Sequence, residues 1–128
     1  MDYFNKVKQY VLDLEYTIVN EDPKDGTIVI EREDDGIKNM ILVIDDPIVI
    51  IEQPLIQLNN PTTDTLKKIL IKNRDILSGA LALDESDTLI FHDTLQLENL
   101  DLNELAASIE SLSLLLTEWS DEIINLKS

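Results

Sequence analysis

Cysteine is absent from the 128 residues, so neither a disulfide framework nor a thiolate metal site can be built, which fits a reducing compartment. Histidine occurs once, as His92, which excludes a His-rich zinc site. The three glycines stand far apart and match no phosphate-binding loop. No run approaches the roughly 18 apolar residues that a membrane span needs. Met1-Asp2-Tyr3-Phe4-Asn5-Lys6 lacks the basic-then-apolar pattern of a signal peptide. Positive charge is scarce: 10 Lys and Arg stand against 26 Asp and Glu, a formal −16. That balance argues against nucleic acid and anionic membranes, both of which are held largely by Lys and Arg. The expectation is a cytoplasmic protein with neither as a partner.

What is present is aliphatic. Apolar residues make up 44% of the chain and aromatics only 5%. The length suits one domain, residues 1–128, with one core. From Asp75 to Ser128 twelve acidic residues face a single basic one, Lys127, so this stretch holds −11 of the −16. Between those acids runs a regular apolar stripe.

Residues 2–14 read as a helix, with Val7, Val11 and Leu14 at helical spacing and Tyr3, Phe4 and Tyr10 widening the face. Strands follow: Tyr16–Val19, then Thr27–Glu33, separated by the turn Asp22-Pro23-Lys24-Asp25-Gly26. Asp34-Asp35-Gly36 signals a hairpin into Ile37–Asp45, and Asp46-Pro47 breaks the chain before Ile48–Leu58. Pro54 within that last stretch implies a bulge, a sheet edge or the strand's end. The two middle strands are apolar on both faces: Ile41 and Val43 against Met40, Leu42 and Ile44, then Ile48 and Ile50 against Val49 and Ile51. Such strands need cover on both sides. Helices supply one cover, and a subunit partner is the expected other.

Asn60-Pro61-Thr62 starts a second helix, capped by Asn60 or Thr62. It should run to about Leu77 with Leu66, Ile69, Leu70, Asn73, Ile76 and Leu77 on one face. Asn73, polar within that stripe, must find hydrogen-bond partners, in a neighbouring strand backbone or in a ligand. Lys67, Lys68, Lys72 and Arg74 gather four of the ten basic residues on this helix, as a solvated face or a patch for an acidic partner. Ala80–Leu83 and Thr88–Leu95 are strands about the turn Asp84–Asp87. Asp101, with Glu104 three positions on, caps a final helix whose apolar positions are Leu105, Ile109, Leu112, Leu116, Trp119 and Ile123, widened by Leu115, Ile124 and Leu126. The order α-β-β-β-β-α-β-β-α makes this an α+β protein, an antiparallel sheet packed with helices.

Catalytic signatures are missing. Adjacent strand residues face opposite ways, so Asp93 cannot orient His92 as a triad would require. Registering Gly36 or Gly26 on a calcium loop puts Leu42 or Arg32 where a Glu must stand. No cofactor, metal or catalytic residue is expected.

The helix with Leu66, Leu70 and Asn73-Arg74, then Gly79-Ala80-Leu81-Ala82-Leu83-Asp84, Thr88-Leu89-Ile90-Phe91, Leu95-Gln96-Leu97-Glu98-Asn99-Leu100 and the long last helix together resemble the YbjN-domain family, also called bacterial sensory transduction regulators. That family in turn is similar to the class I type III secretion chaperones, the Tir-chaperone-like proteins. The resemblance spans essentially the whole chain. It implies a type III secretion chaperone-like fold, acidic subunits, a homodimer and no catalytic residues; in the chaperones, apolar surface captures an extended effector segment. The leading expectation is therefore a non-enzymatic, chaperone-like adaptor that holds an extended protein client, with Val49, Ile51 and Leu55 of the sheet and Leu116 and Trp119 of the last helix as interface candidates. A sensory or regulatory module binding a small ligand or cation is the alternative.

Overall fold

A computed structural model describes residues 2–127. Helix α1 (Tyr3–Asp13) is followed by β1 (Thr17–Asp22), β2 (Thr27–Arg32), a 3-10 turn at Glu33–Asp35, β3 (Ile37–Asp45), β4 (Ile48–Gln57), α2 (Thr63–Asn73), β5 (Ala80–Leu83), β6 (Thr88–Gln96) and α3 (Leu102–Leu126). The expected α+β order holds throughout. The six strands form one antiparallel sheet in the order β1-β2-β3-β4-β6-β5.

Alternation along the strands sorts the two faces. Ile28, Ile30, Met40, Leu42, Val49, Ile51, Leu89 and Phe91 are fully buried beneath the helices. The intervening residues Val29, Ile41, Val43, Ile50 and Ile90 are half-buried on the opposite, open face. The two-sided apolar strands are thus covered on one side within the subunit. Asp93 and His92 take opposite faces. Asp93 lies under α3, where its Oδ2 accepts from Ser78 and from the buried Ser108, both at 2.6 Å. His92 lies on the open face, with Nδ1 2.7 Å from Glu52 across the strand pair and Nε2 3.2 Å from the Thr94 hydroxyl.

The helices begin where polar caps permit. Asp2, Thr62 and Asp101 each accept the backbone N–H three residues on, which fixes Thr62 rather than Asn60 as the α2 cap. Within α1, Val7 and Val11 are buried as their spacing predicts. Within α3 the stripe Leu105, Ile109, Leu112 and Leu115 is buried.

Two expectations need correction. Helix α2 ends at Asn73 rather than near Leu77, and of its supposed buried face only Ile69 is fully covered. Leu66 and Leu70 are 37% and 68% exposed, because α2 rests on the four-residue strand β5 and only one line of its side chains reaches the sheet, and Leu77, beyond the end of the helix, is 79% exposed. Likewise Ile124 of α3 is 63% exposed instead of widening the core face.

Candidate functional site

Along the C-terminal half of α3, which still buries Ile123 and Leu126, a groove opens on each side of the helix. The first has its origin in a split ladder. Backbone pairing of β3 with β4 begins at Ile41↔Glu52, while β4 continues to Gln57 against β6. Past Glu52 the first residues of β3 no longer pair with β4. There the buried Gln53 side chain substitutes for the missing ladder, its Oε1 accepting from Lys38 N–H at 3.1 Å and its Nε2 donating to the Gly36 carbonyl at 3.0 Å. Pro54, which has no N–H to contribute, falls at a bulge between itself and Ile56, as one of the alternatives for this residue foresaw. The bulged residue is Leu55.

The opening left by this split, roofed by α3, is a cavity of about 370 Å³ lined by Gly36, Gln53, Pro54, Leu55, Leu116 and Ile124 among others. Gly36 adopts φ of 76°, and a Cβ placed on it would come within 2.7 Å of Leu116 Cδ1. Glycine therefore both closes the turn before β3 and lets Leu116 lie against the backbone.

The second groove, about 630 Å³, runs between α2 and α3. Ile71, Trp119 and Leu126 supply its apolar surface, and Asp64, Lys68, Lys72, Asp75 and Glu122 its charged rim. Lys72 Nζ lies 5.8 Å from the Trp119 ring centroid and 4.0 Å from a Glu118 carboxylate oxygen.

Of the residues expected to contact a partner, Leu55 and Leu116 thus meet in one groove and Trp119 stands in the other, with all three half-buried. Val49 and Ile51 are core residues, fully buried against the helical layer, and offer no side-chain surface. Alternation revealed that β4 has two apolar faces but not which one the helices cover. Ile71, Ile124 and the Gln53 bridge escaped the sequence reading. Ile71 lies off the apolar stripe of α2, Ile124 reads as one more core position, and a side chain filling in for a ladder has no local signature.

Glu52, His92 and Thr94 lie on the open sheet face, away from both grooves. Among the described residues, no group of three or more His, Cys, Asp or Glu is placed to hold a metal ion. No helix among them is long and apolar enough to cross a membrane.

Comparison with known proteins agrees with this architecture. A family model described as CesT_Tir_1 matches residues 1–128. YbjN from E. coli superposes with a TM-score of 0.72 at 14% identity, covering 93% of this chain and 92% of that one. The HopA1-SchA chaperone–effector complex contains a chain with a TM-score of 0.67 at 17% identity, covering 94% and 95%. The Yersinia pestis type III secretion chaperone SycH, solved with a stable fragment of YscM2, gives 0.58 at 20% identity and covers 97% and 98%. No curated protein sequence is a significant match.

Proposed function

The chain belongs to the CesT_Tir_1 family, and from that premise we propose that it is a non-enzymatic, chaperone-like adaptor of the cytoplasm that holds an extended protein segment and works as a homodimer. The observation that carries the reading is the pair of grooves on either side of α3, which place Leu55 and Leu116 on one side and Trp119 on the other. An extended chain crossing α3 can set apolar side chains into both, the mode in which pockets supply specificity for an unstructured segment. The similar solved structures include the HopA1-SchA chaperone–effector complex and SycH with a stable fragment of YscM2, which supports a protein partner here.

The homodimer rests on a separate feature. Leu66 and Leu70, one turn apart on α2, are exposed in the subunit and are not among the residues that line the α2–α3 groove. Exposed apolar side chains set side by side are characteristic of an interface. Covering this pair with the same pair of a second copy gives a two-fold contact that keeps clear of both α3 grooves.

Trp119 is the only tryptophan, so its emission reports on the client site directly. Adding reduced, carboxymethylated ribonuclease A, which is unfolded and has no tryptophan, should shift that emission, whereas native ribonuclease A should not. Light scattering should return twice the 14.6 kDa chain mass. An emission unmoved by the unfolded protein would reject segment binding at this site, and a strict monomer at micromolar concentration would reject the dimer.

A further inference from the structure

The groove between α2 and α3 holds one of the chain's own cations on its aromatic surface. The Lys72 side chain is only 16% exposed, an unusually low value for lysine, because it folds down over Trp119 toward Glu118. Aromatic faces attract cations, and carboxylates set around the ring strengthen the attraction. Here Glu118 pairs with Lys72, while Asp64, Asp75 and Glu122 line the groove. Against these four carboxylates stand Lys68 and Lys72, and Lys72 is already committed to the ring.

We propose that this groove recognises a client segment bearing an Arg or Lys between apolar residues, and that the client's cation takes the place of Lys72 on Trp119. The proposal rests on the segment-binding reading above and specifies the chemistry of the segment. Charge complementarity selects the occupant. An acidic segment would approach a chain of net charge −16 and meet Glu118, Glu122 and Asp75, whereas a basic one is drawn in by the same field. Displacement of Lys72 is easy. Its ion pair sits at the outer limit of contact at 4.0 Å, and its distance to the ring, 5.8 Å, is near the limit for a cation–π interaction. Arginine should outrank lysine, since a planar guanidinium stacks on indole and forks to a carboxylate, which an ammonium cannot do. Ile71 and Leu126 take the apolar neighbours of that residue. Lys72 itself thus serves as a placeholder that keeps the tryptophan covered until a client arrives.

The test uses the full chain and three unstructured peptides without aromatic residues. They share a Gly-Ser background and the same leucines, and carry Arg, Gln or Glu at the positions between them. Titration followed by Trp119 emission should give the Arg peptide an affinity at least about tenfold above that of the Gln peptide, and no measurable binding of the Glu peptide. High salt should shrink the difference. Lys72→Gln, which uncovers the ring and removes a competing charge, should tighten the Arg peptide severalfold, whereas loss of a structural lysine would weaken it. Equal affinity for the Arg and Gln peptides, or no tightening in Lys72→Gln, overturns the cation preference while unfolded, tryptophan-free ribonuclease A still shifts Trp119. Failure of the unfolded ribonuclease A itself to shift Trp119 instead overturns the underlying segment-binding reading.

Discussion

The side-chain carboxamide of Asn73 pairs with the backbone of Leu81 in both directions: Leu81 N–H donates to Oδ1 at 2.7 Å, and Nδ2 donates to the Leu81 carbonyl at 3.1 Å. Leu81 lies on β5, an outer strand of the sheet. Its outward N–H and C=O would otherwise form part of an open edge able to pair with another chain. Asn73 thus does for β5 what Gln53 does for β3, supplying one strand's worth of hydrogen bonding from a single side chain.

Replacing Asn73 by Ala should therefore destabilise the fold by about 1–3 kcal/mol, the cost of stranding a half-covered donor and acceptor together. Asp at the same position keeps an acceptor for Leu81 N–H but turns a second oxygen toward the carbonyl, so it should be no better than Ala. Urea unfolding of the two variants checks both statements.

Gly36→Ala should cost about 1–2 kcal/mol from the left-handed backbone alone. The methyl also pushes on Leu116 Cδ1, a movable side-chain tip, so the added steric cost is small but Leu116 must shift within its groove. Thermal unfolding should register the backbone cost. Binding of the unfolded ribonuclease A should weaken in the same variant, measured at a temperature where the variant remains folded.

Tyr16 predicts an alkaline limit to stability. Burial pushes its phenol above the ordinary value of 10.0; the Arg32 guanidinium, stacked 4.2 Å from the ring centroid, pulls the other way, and Asp35 and Glu110 add to the rise. The fold thus favours the protonated phenol. The stabilisation is fully present below pH 10 and is lost as pH climbs through the raised folded-state value. Unfolding midpoints measured from neutral pH to above 10 should fall at the alkaline end, and Tyr16→Phe should flatten that limb.

Leu70→Glu tests the self-association surface. At 68% exposure Leu70 contributes little to the subunit core, so the variant should keep its fold by circular dichroism. Placed in a two-fold leucine contact, the new carboxylates should repel and be desolvated, and light scattering should report the monomer. A dimer of unchanged affinity would move the interface elsewhere.

Much of this architecture was legible in the residues themselves. The alternation of Ile28 and Ile30, the turn at Asp22–Gly26, the Asp101 cap and the α3 stripe are local signals, and each appears where its period places it. That Asn73 must find partners was equally readable, since a polar group in an apolar stripe must be satisfied, and of the two alternatives, a strand backbone or a ligand, the backbone of Leu81 fills the need. What escaped was set by distance along the chain. Leu66, Leu70 and Leu77 have the spacing of a buried face, yet α2 meets only a four-residue strand and most of that face finds nothing to cover it. Val49 and Ile51 looked as available as Ile48 and Ile50 because alternation separates two faces without ranking them. The grooves arise where β3 leaves β4 and where α2 and α3 diverge, and neither event is written in any one segment.

The strand order carries a consequence for the protein while it is being made. β4 pairs with β3 through a tight hairpin but meets its other neighbour, β6, only after α2 and β5 have been completed. On the ribosome, α1 to β4 can assemble from short-range contacts while the free side of β4, Ile48 to Gln57, stays unpaired. A nascent chain arrested between Gln57 and Thr88 therefore displays an apolar strand edge open to pairing. Synthesis through β6 closes it, and a pause in that interval is where newly made subunits are most exposed to aggregation.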